Sequence, residues 1–201
     1  MACARQYRRS SARYSGDTPE LEVRYQHAEP ETGLLQLSSR LIDVIVANSY
    51  PGTSQVLPVG WRAKPLLRDP IRAYVPGAAE IRGLRQVHWI FYHRGTEAHA
   101  WARKVCHRAG FEPDVRYESA DLIFHRRMVE ADVAAAFLPD LLDSRENWGA
   151  VSSDLIDTQN FRDISFICRA PAEHQPPIAA CRAAFTEHLR SVGTSDADGP
   201  R

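Results

Sequence analysis

The feature that most constrains this chain is an alternation of two hydrophobic periods along its length. Short apolar or period-two runs are followed repeatedly by stretches with helical spacing. Leu21, Val23 and Tyr25 alternate with Glu22, Arg24 and Gln26, the pattern of a half-exposed strand. A helix is predicted from about Glu29 to Arg40, with Leu34, Leu35 and Leu37 facing inward, and Leu41–Ala47 reads as a buried strand. Pro51-Gly52 punctuates a turn over 48–53. Leu66–Val75 carries two strand-like pieces separated by Asp69-Pro70.

The second half repeats the rhythm. Val87–Tyr92 is a predicted strand, and Gly95-Thr96 opens a helix to about Ala109, with Thr96 as N-cap and Glu97 in the first turn. Ala98, Trp101, Ala102, Val105 and Ala109 form its apolar face, and Gly110 stops it. Val115 and Tyr117 mark a strand, Asp121 caps the next helix, and Val133–Leu138 is a strand closed by Pro139. Ile164–Cys168 is the last strand. A final helix from near Pro177 shows Ile178, Cys181, Phe185, Leu189 and Val192 on one face. Repeated strand–helix–strand units imply an α/β fold with a mostly parallel sheet and helices on both sides. Two such groups, separated near Pro76–Arg85, imply two lobes with a cleft.

A chain of 201 residues buries roughly 70% of its unfolded surface, enough for a core without disulfides or metal. Its 25 basic and 25 acidic residues cancel, so it lacks the positive excess from which nucleic-acid binders draw affinity. Cys3, Cys106, Cys168 and Cys181 include no CxxC pair and read as reduced, small hydrophobic residues. No apolar run approaches the ~20 residues of a membrane span. The start holds Arg5, Arg8, Arg9 and Arg13 with Ser10, Ser11 and Ser15 before the first acid, Asp17. That texture suits either a transit peptide or a disordered start. The tail after Val192 also reads as disordered.

Catalytic signatures are missing. The sequence contains no Gly-rich phosphate loop, GxSxG, HExxH or EF-hand pattern, and nothing in it brings two carboxylates together. His99, Arg103 and His107 share a helix face at i, i+4 and i+8, but an arginine is no metal ligand and the outer pair spans about 12 Å of helix rise. They are expected to form a solvated polar face. His88 and His93 flank the Trp89–Tyr92 strand and read as strand-end residues. No enzyme, cofactor or metal is expected.

The ordered motifs resemble one family, the effector-binding (substrate-binding) domain of LysR-type transcriptional regulators. The strongest stretch is Asp121–Pro139, DLIFHRRMVEADVAAAFLP, similar to the family's helix–turn–strand signature. Trp89-Ile90, Gly95-Thr96, the stretch Ala109–Pro113 and Tyr117-Glu118 look like its second lobe in order and spacing. Leu41–Val46, Tyr50-Pro-Gly52, Pro65-Leu-Leu and Asp69-Pro70 look like the first, with Ile164–Arg169 and the last helix returning to it. The resemblance covers about Pro19–Val192. It implies a two-lobed fold similar to type II periplasmic binding proteins and a small organic effector, often an anion. It also implies a homodimer in the cytoplasm and DNA reached only through a helix-turn-helix module, which this sequence does not contain. The alternative is a stand-alone ligand-binding or dimerisation module.

The implied boundaries are an irregular or disordered start over 1–18, lobe I over 19–80 plus 164–193, lobe II over 84–163, and a disordered tail over 194–201. Lobe I is expected to be incomplete at its N-terminus, because the family's first strand and helix fall on the Arg/Ser-rich start. The expected effector contacts are Gly95 and Thr96 at a helix N-terminus, Asn48 and Ser49 at a strand end, and Ser119 after the Tyr117 strand. Helix N-termini offer unpaired N–H groups to anions, although Gly95-Thr96 also reads as an ordinary N-cap. Two usually apolar signature positions hold His125 and Arg126, and two usual glycines are Asp132 and Ala134. The histidine and arginine either point outward, the favoured reading, or line an acid-binding cleft.

Overall fold

A computed structural model describes residues 12–13, 22–28, 30–52, 57–76, 83–142, 151–152 and 160–193. In chain order, β1 (Ala12–Arg13) pairs antiparallel with β2 (Glu22–Val23), followed by α1 (Pro30–Ser38) and β3 (Val44–Ser49). A 15-residue strand, β4 (Trp61–Val75), leads to β5 (His88–Phe91), α2 (Glu97–Arg108), β6 (Asp114–Glu118) and α3 (Leu122–Glu130). Then come β7 (Ala136–Pro139), β8 (Val151–Ser152), β9 (Phe161–Arg169) and α4 (Pro176–Gly193). The chain divides into two compact units. One gathers residues 1–49, 54–68 and 163–197, the other 50–53, 69–162 and 198–201, so β4 and β9 each run from one unit into the other.

In the first unit β3 pairs antiparallel with β9, from Val44 opposite Cys168 to Ser49 opposite Asp163. The period of two splits their side chains between two faces. Ile45 and Ala47 pack with Leu37 of α1 and with Ile167, whereas Val44 and Val46 lie against Phe166, Cys168 and Ile178 of α4. Arg169 ties this layer together: Nη1 donates to the carbonyls of Leu37 and Ile42 at 2.9 and 2.8 Å, and Nη2 reaches Asp43 at 2.7 Å. The expectation for α1 is corrected at Leu35, which is 70% exposed while Leu37 is fully buried. Nine residues of helix present only one narrow stripe to the sheet, and Leu35 falls outside it.

In the second unit β5 pairs in parallel with β6, and a parallel bridge joins Trp89 to Ala135. β4 runs antiparallel to β7, Ile71 opposite Pro139 to Tyr74 opposite Ala136, and also to β8. Trp89 and Phe91 pack toward α2 with Trp101, Val105, Phe111 and Phe137, while Ile90 packs with Val129, Ala136 and Leu138 beside α3. Trp89 stacks on Phe137 with ring centroids 5.2 Å apart.

Three sequence expectations are corrected. Among the described pairings most are antiparallel, because β4 and β9 run between units instead of joining successive βαβ crossovers. Asp69-Pro70 does not break β4: the Asp69 carboxylate is buried and paired, and the ring of Pro70 lies inside a continuous strand. Ala12–Arg13 forms a two-residue strand where no strand signal was found. The rest of the 1–18 start and the 194–201 tail lie outside the described residues.

Candidate functional site

The second unit holds a partly open cavity of about 20 Å³, all of whose lining residues belong to that unit. Its wall is built from six elements. Ile71 comes from β4, Phe91 from β5, Ala98, Trp101 and Ala102 from α2, Leu122 and His125 from α3, Phe137 from β7 and Arg162 from β9, with Tyr50 and Tyr92 from the segments after β3 and β5. Aromatic rings dominate. Trp101 lies 5.2 Å from Tyr50 and 5.3 Å from Phe137, and Tyr92 lies 5.5 Å from His125, all measured between ring centroids.

Two polar atoms in this wall are buried without a hydrogen-bond partner among the described residues: Nε1 of Trp101 and Nδ1 of His125. Their residues are 3% and 1% exposed, so bulk water does not compensate them. The Nε2 of His125 lies 2.8 Å from the Ser119 carbonyl, which only accepts, so Nε2 carries the proton. Burial pushes the His125 pKa below its ordinary value, while Asp121 and His93 act on it in opposite senses. The ring is therefore neutral and its Nδ1 is an acceptor. Trp101 is a donor only.

Arg162 is the cationic wall residue, and it is already paired. Its Nε and Nη2 lie 2.8 and 2.7 Å from one Asp69 oxygen, and the other oxygen accepts from the Leu141 N–H at 3.0 Å. Burial pushes the Asp69 pKa up, opposed by Arg162 and by the Leu141 hydrogen bond. Burial likewise raises the Tyr50 hydroxyl, to which Arg162 donates.

The residues expected to touch an effector divide between the units. Asn48 and Ser49 end β3 in the first unit, and Gly95, Thr96 and Ser119 belong to the second. Gly95 sits at φ +88°, a left-handed conformation that an L side chain adopts only with strain. Thr96 is the N-cap of α2: its hydroxyl accepts from His99 N–H at 3.2 Å and donates to the His93 carbonyl at 2.7 Å. At Ser119 the N–H donates to the Phe91 carbonyl, the hydroxyl oxygen accepts from the Asp121 N–H and the carbonyl accepts from His125.

Three histidine and arginine expectations change. His125 points inward, where the aromatic wall and the Ser119 carbonyl take it up, whereas Arg126 is half-buried and pairs with Glu130 at 2.7 Å. His99 is buried rather than solvated, since its Nδ1 bonds the Tyr92 carbonyl at 2.8 Å, while His107 stays on the surface against Glu112. Trp101, Tyr50, Asp69 and Arg162 were missed as site residues. The one available signal was Asp69, an acid before proline inside an otherwise strand-like run.

Among the described residues no group of three metal-ligating side chains forms, and no helix is long and apolar enough to cross a membrane. Two α/β units linked by strands that pass from one to the other define a type II periplasmic-binding-protein-like fold. The LysR substrate-binding domain family matches residues 5–190, and this chain belongs to that family. Such domains are parts of transcriptional regulators and not enzymes. No curated protein matches the sequence. Among solved structures, a mutant OxyR from Corynebacterium glutamicum is similar at 15% identity and a TM-score of 0.66, over 90% of this chain and 58% of that one. The LysR family regulator CbnR is similar at 20% identity and a TM-score of 0.58, over 83% and 58%. A sulfate-bound OxyR2 regulatory domain from Vibrio vulnificus is similar at 17% identity and a TM-score of 0.59, over 82% and 80%. This chain thus spans 58% of the length of two of these three proteins.

Proposed function

We propose that this chain is the effector-sensing domain of a LysR-type transcriptional regulator. It takes up a small organic molecule and passes the binding event to a helix-turn-helix DNA-binding module that is attached to it or carried by a partner chain. Family membership supports this reading, and so does the neutral charge, which leaves DNA contact to another module. The observation that carries it is the aromatic cavity of the second unit. Natural cores leave few buried polar atoms unsatisfied, and two of them line this one cavity.

Further contacts proposed for an effector are, in the second unit, Ser119 and the N–H groups of the first turn of α2 at Gly95-Thr96, and, in the first unit taken by itself, Asn48 and Ser49 at the end of β3. The Thr96 hydroxyl is committed to its cap, so that turn would serve an anion through backbone N–H groups and the positive end of the helix dipole. Sulfate in the Vibrio vulnificus neighbour supports an anion as one class of ligand. The family also supports a homodimer working in the cytoplasm.

A thermal-shift screen of the purified chain against small organic acids, phenols and amino acids tests the proposal. A ligand at 100 times its Kd stabilises the fold by about 2.7 kcal/mol. Saturable stabilisation by one chemical class is the expected result. A cooperative melt that no compound shifts would overturn the sensor reading.

A further inference from the structure

We infer that the second unit contains a subsite for a hydroxyl group, held between the Trp101 indole N–H and Nδ1 of His125, and that the effector is a small phenol or alcohol. The inference rests on the sensor reading above and names the chemistry of the cavity that carries it.

Three observations point to a hydroxyl. The two unsatisfied atoms, on residues that line the same cavity, are one donor and one acceptor, fixed as such by the indole and by the Nε2–Ser119 hydrogen bond. A hydroxyl is a small group that accepts from the one and donates to the other through a single atom. A carboxylate would satisfy Trp101 but bring its lone pairs against that of Nδ1. An ammonium group, which only donates, would leave the indole unsatisfied. Size agrees, because a volume of about 20 Å³ accommodates one water-sized group, whose threshold is roughly 10–15 Å³, and not a phosphate. The rest of the molecule lies on the open side of the cavity.

Charge agrees as well. Arg162, the cation in the wall, is neutralised by Asp69 through two contacts of 2.7 and 2.8 Å, so the wall offers no net charge to an anion. Aromatic rings of Tyr50, Phe91 and Tyr92 suit an aromatic alcohol in preference to a sugar.

Phenol, anisole and benzoate, titrated calorimetrically into the full chain, separate the possibilities. Anisole keeps the ring and the acceptor oxygen but loses the donor, and benzoate replaces the hydroxyl by a carboxylate. Phenol should bind saturably and at least about tenfold more tightly than either, the effect of one buried hydrogen bond. Trp101→Phe keeps an aromatic ring in the wall and deletes the N–H. It should weaken phenol about tenfold relative to anisole, a loss of selectivity that a general loosening of the core would not produce. His125→Leu should do the same, and Trp101→Phe decides the matter if that variant is unstable. Equal binding of phenol and anisole, or phenol affinity unchanged in Trp101→Phe, overturns the subsite. If phenol fails while organic acids shift the melt, the subsite falls and the sensor reading stands. If nothing binds, both fall.

Discussion

Arg162 and Asp69 meet inside the second unit, with Nε and Nη2 of the arginine 2.8 and 2.7 Å from the same carboxylate oxygen and the aspartate 1% exposed. The pair joins the middle of β4 to the start of β9, and its arginine lines the aromatic cavity. Removing one partner leaves the other buried and uncompensated. Arg162→Met should therefore cost about 3–5 kcal/mol in urea unfolding, and the double variant Arg162→Met with Asp69→Leu should recover most of it. Additive losses in the double variant would contradict a coupled pair.

How far the sequence disclosed this arrangement depends on the kind of signal. Thr96 and Asp121 were legible as N-caps, because capping is local: each side chain accepts from N–H groups two or three residues on. The buried face of α2 was legible for the same reason, through its 3.6-residue spacing. Strand direction was not. Val44 meets Cys168 and Ile71 meets Pro139 across long sequence separations, and no local pattern encodes which way such partners run.

The candidate site was half legible. His125 stood out as a polar residue where the resembled family is apolar, but its inward orientation depends on the Ser119 carbonyl, which only the folded turn presents. Trp101 read as ordinary core, and its unsatisfied N–H emerges only when Tyr50 and Phe137 close around the indole.

His125 makes stability depend on pH with a definite sign. Burial lowers its pKa in the folded state, so the unfolded chain binds the proton more readily. Its contribution is fully present above the ordinary histidine value of about 6.5 and is lost as pH falls from there through the lowered folded value. Urea midpoints measured on acidification should fall in that window, and His125→Leu should flatten this step. Lowered carboxylates such as Glu118 and Glu130 act in a separate, more acid window. An unchanged slope in His125→Leu would contradict a buried neutral ring.

Thr96 tests the cap at α2. Thr96→Ala removes the acceptor for His99 N–H and should cost about 1 kcal/mol, whereas Thr96→Ser keeps the hydroxyl and should cost little. Because the proposed anion contact uses the N–H groups of this turn, Thr96→Ala should also weaken an anionic effector severalfold. Comparing chemical unfolding with ligand titration for the two variants checks both expectations.

Cys106 is fully buried, and burial pushes its thiol pKa up to about 12. Burial also raises Cys168 and Cys181. Iodoacetamide should leave Cys106 unmodified in the native protein at mildly alkaline pH and label it after denaturation, as read by peptide mass spectrometry. Rapid native labelling would contradict the packing of α2 against β5.

The most direct measurement follows the indole N–H resonances of the nitrogen-15-labelled protein while the strongest compound from the thermal-shift screen is added. Trp101 and Trp89 provide a signal and an internal control, since the Trp89 N–H already donates to the Leu84 carbonyl at 3.3 Å. The effector-sensor account predicts that the Trp101 resonance moves saturably, with the same midpoint as the thermal stabilisation, while that of Trp89 stays close to its place. A stabilising ligand that leaves Trp101 unmoved would contradict the account, because binding would then lie away from the cavity that carries it.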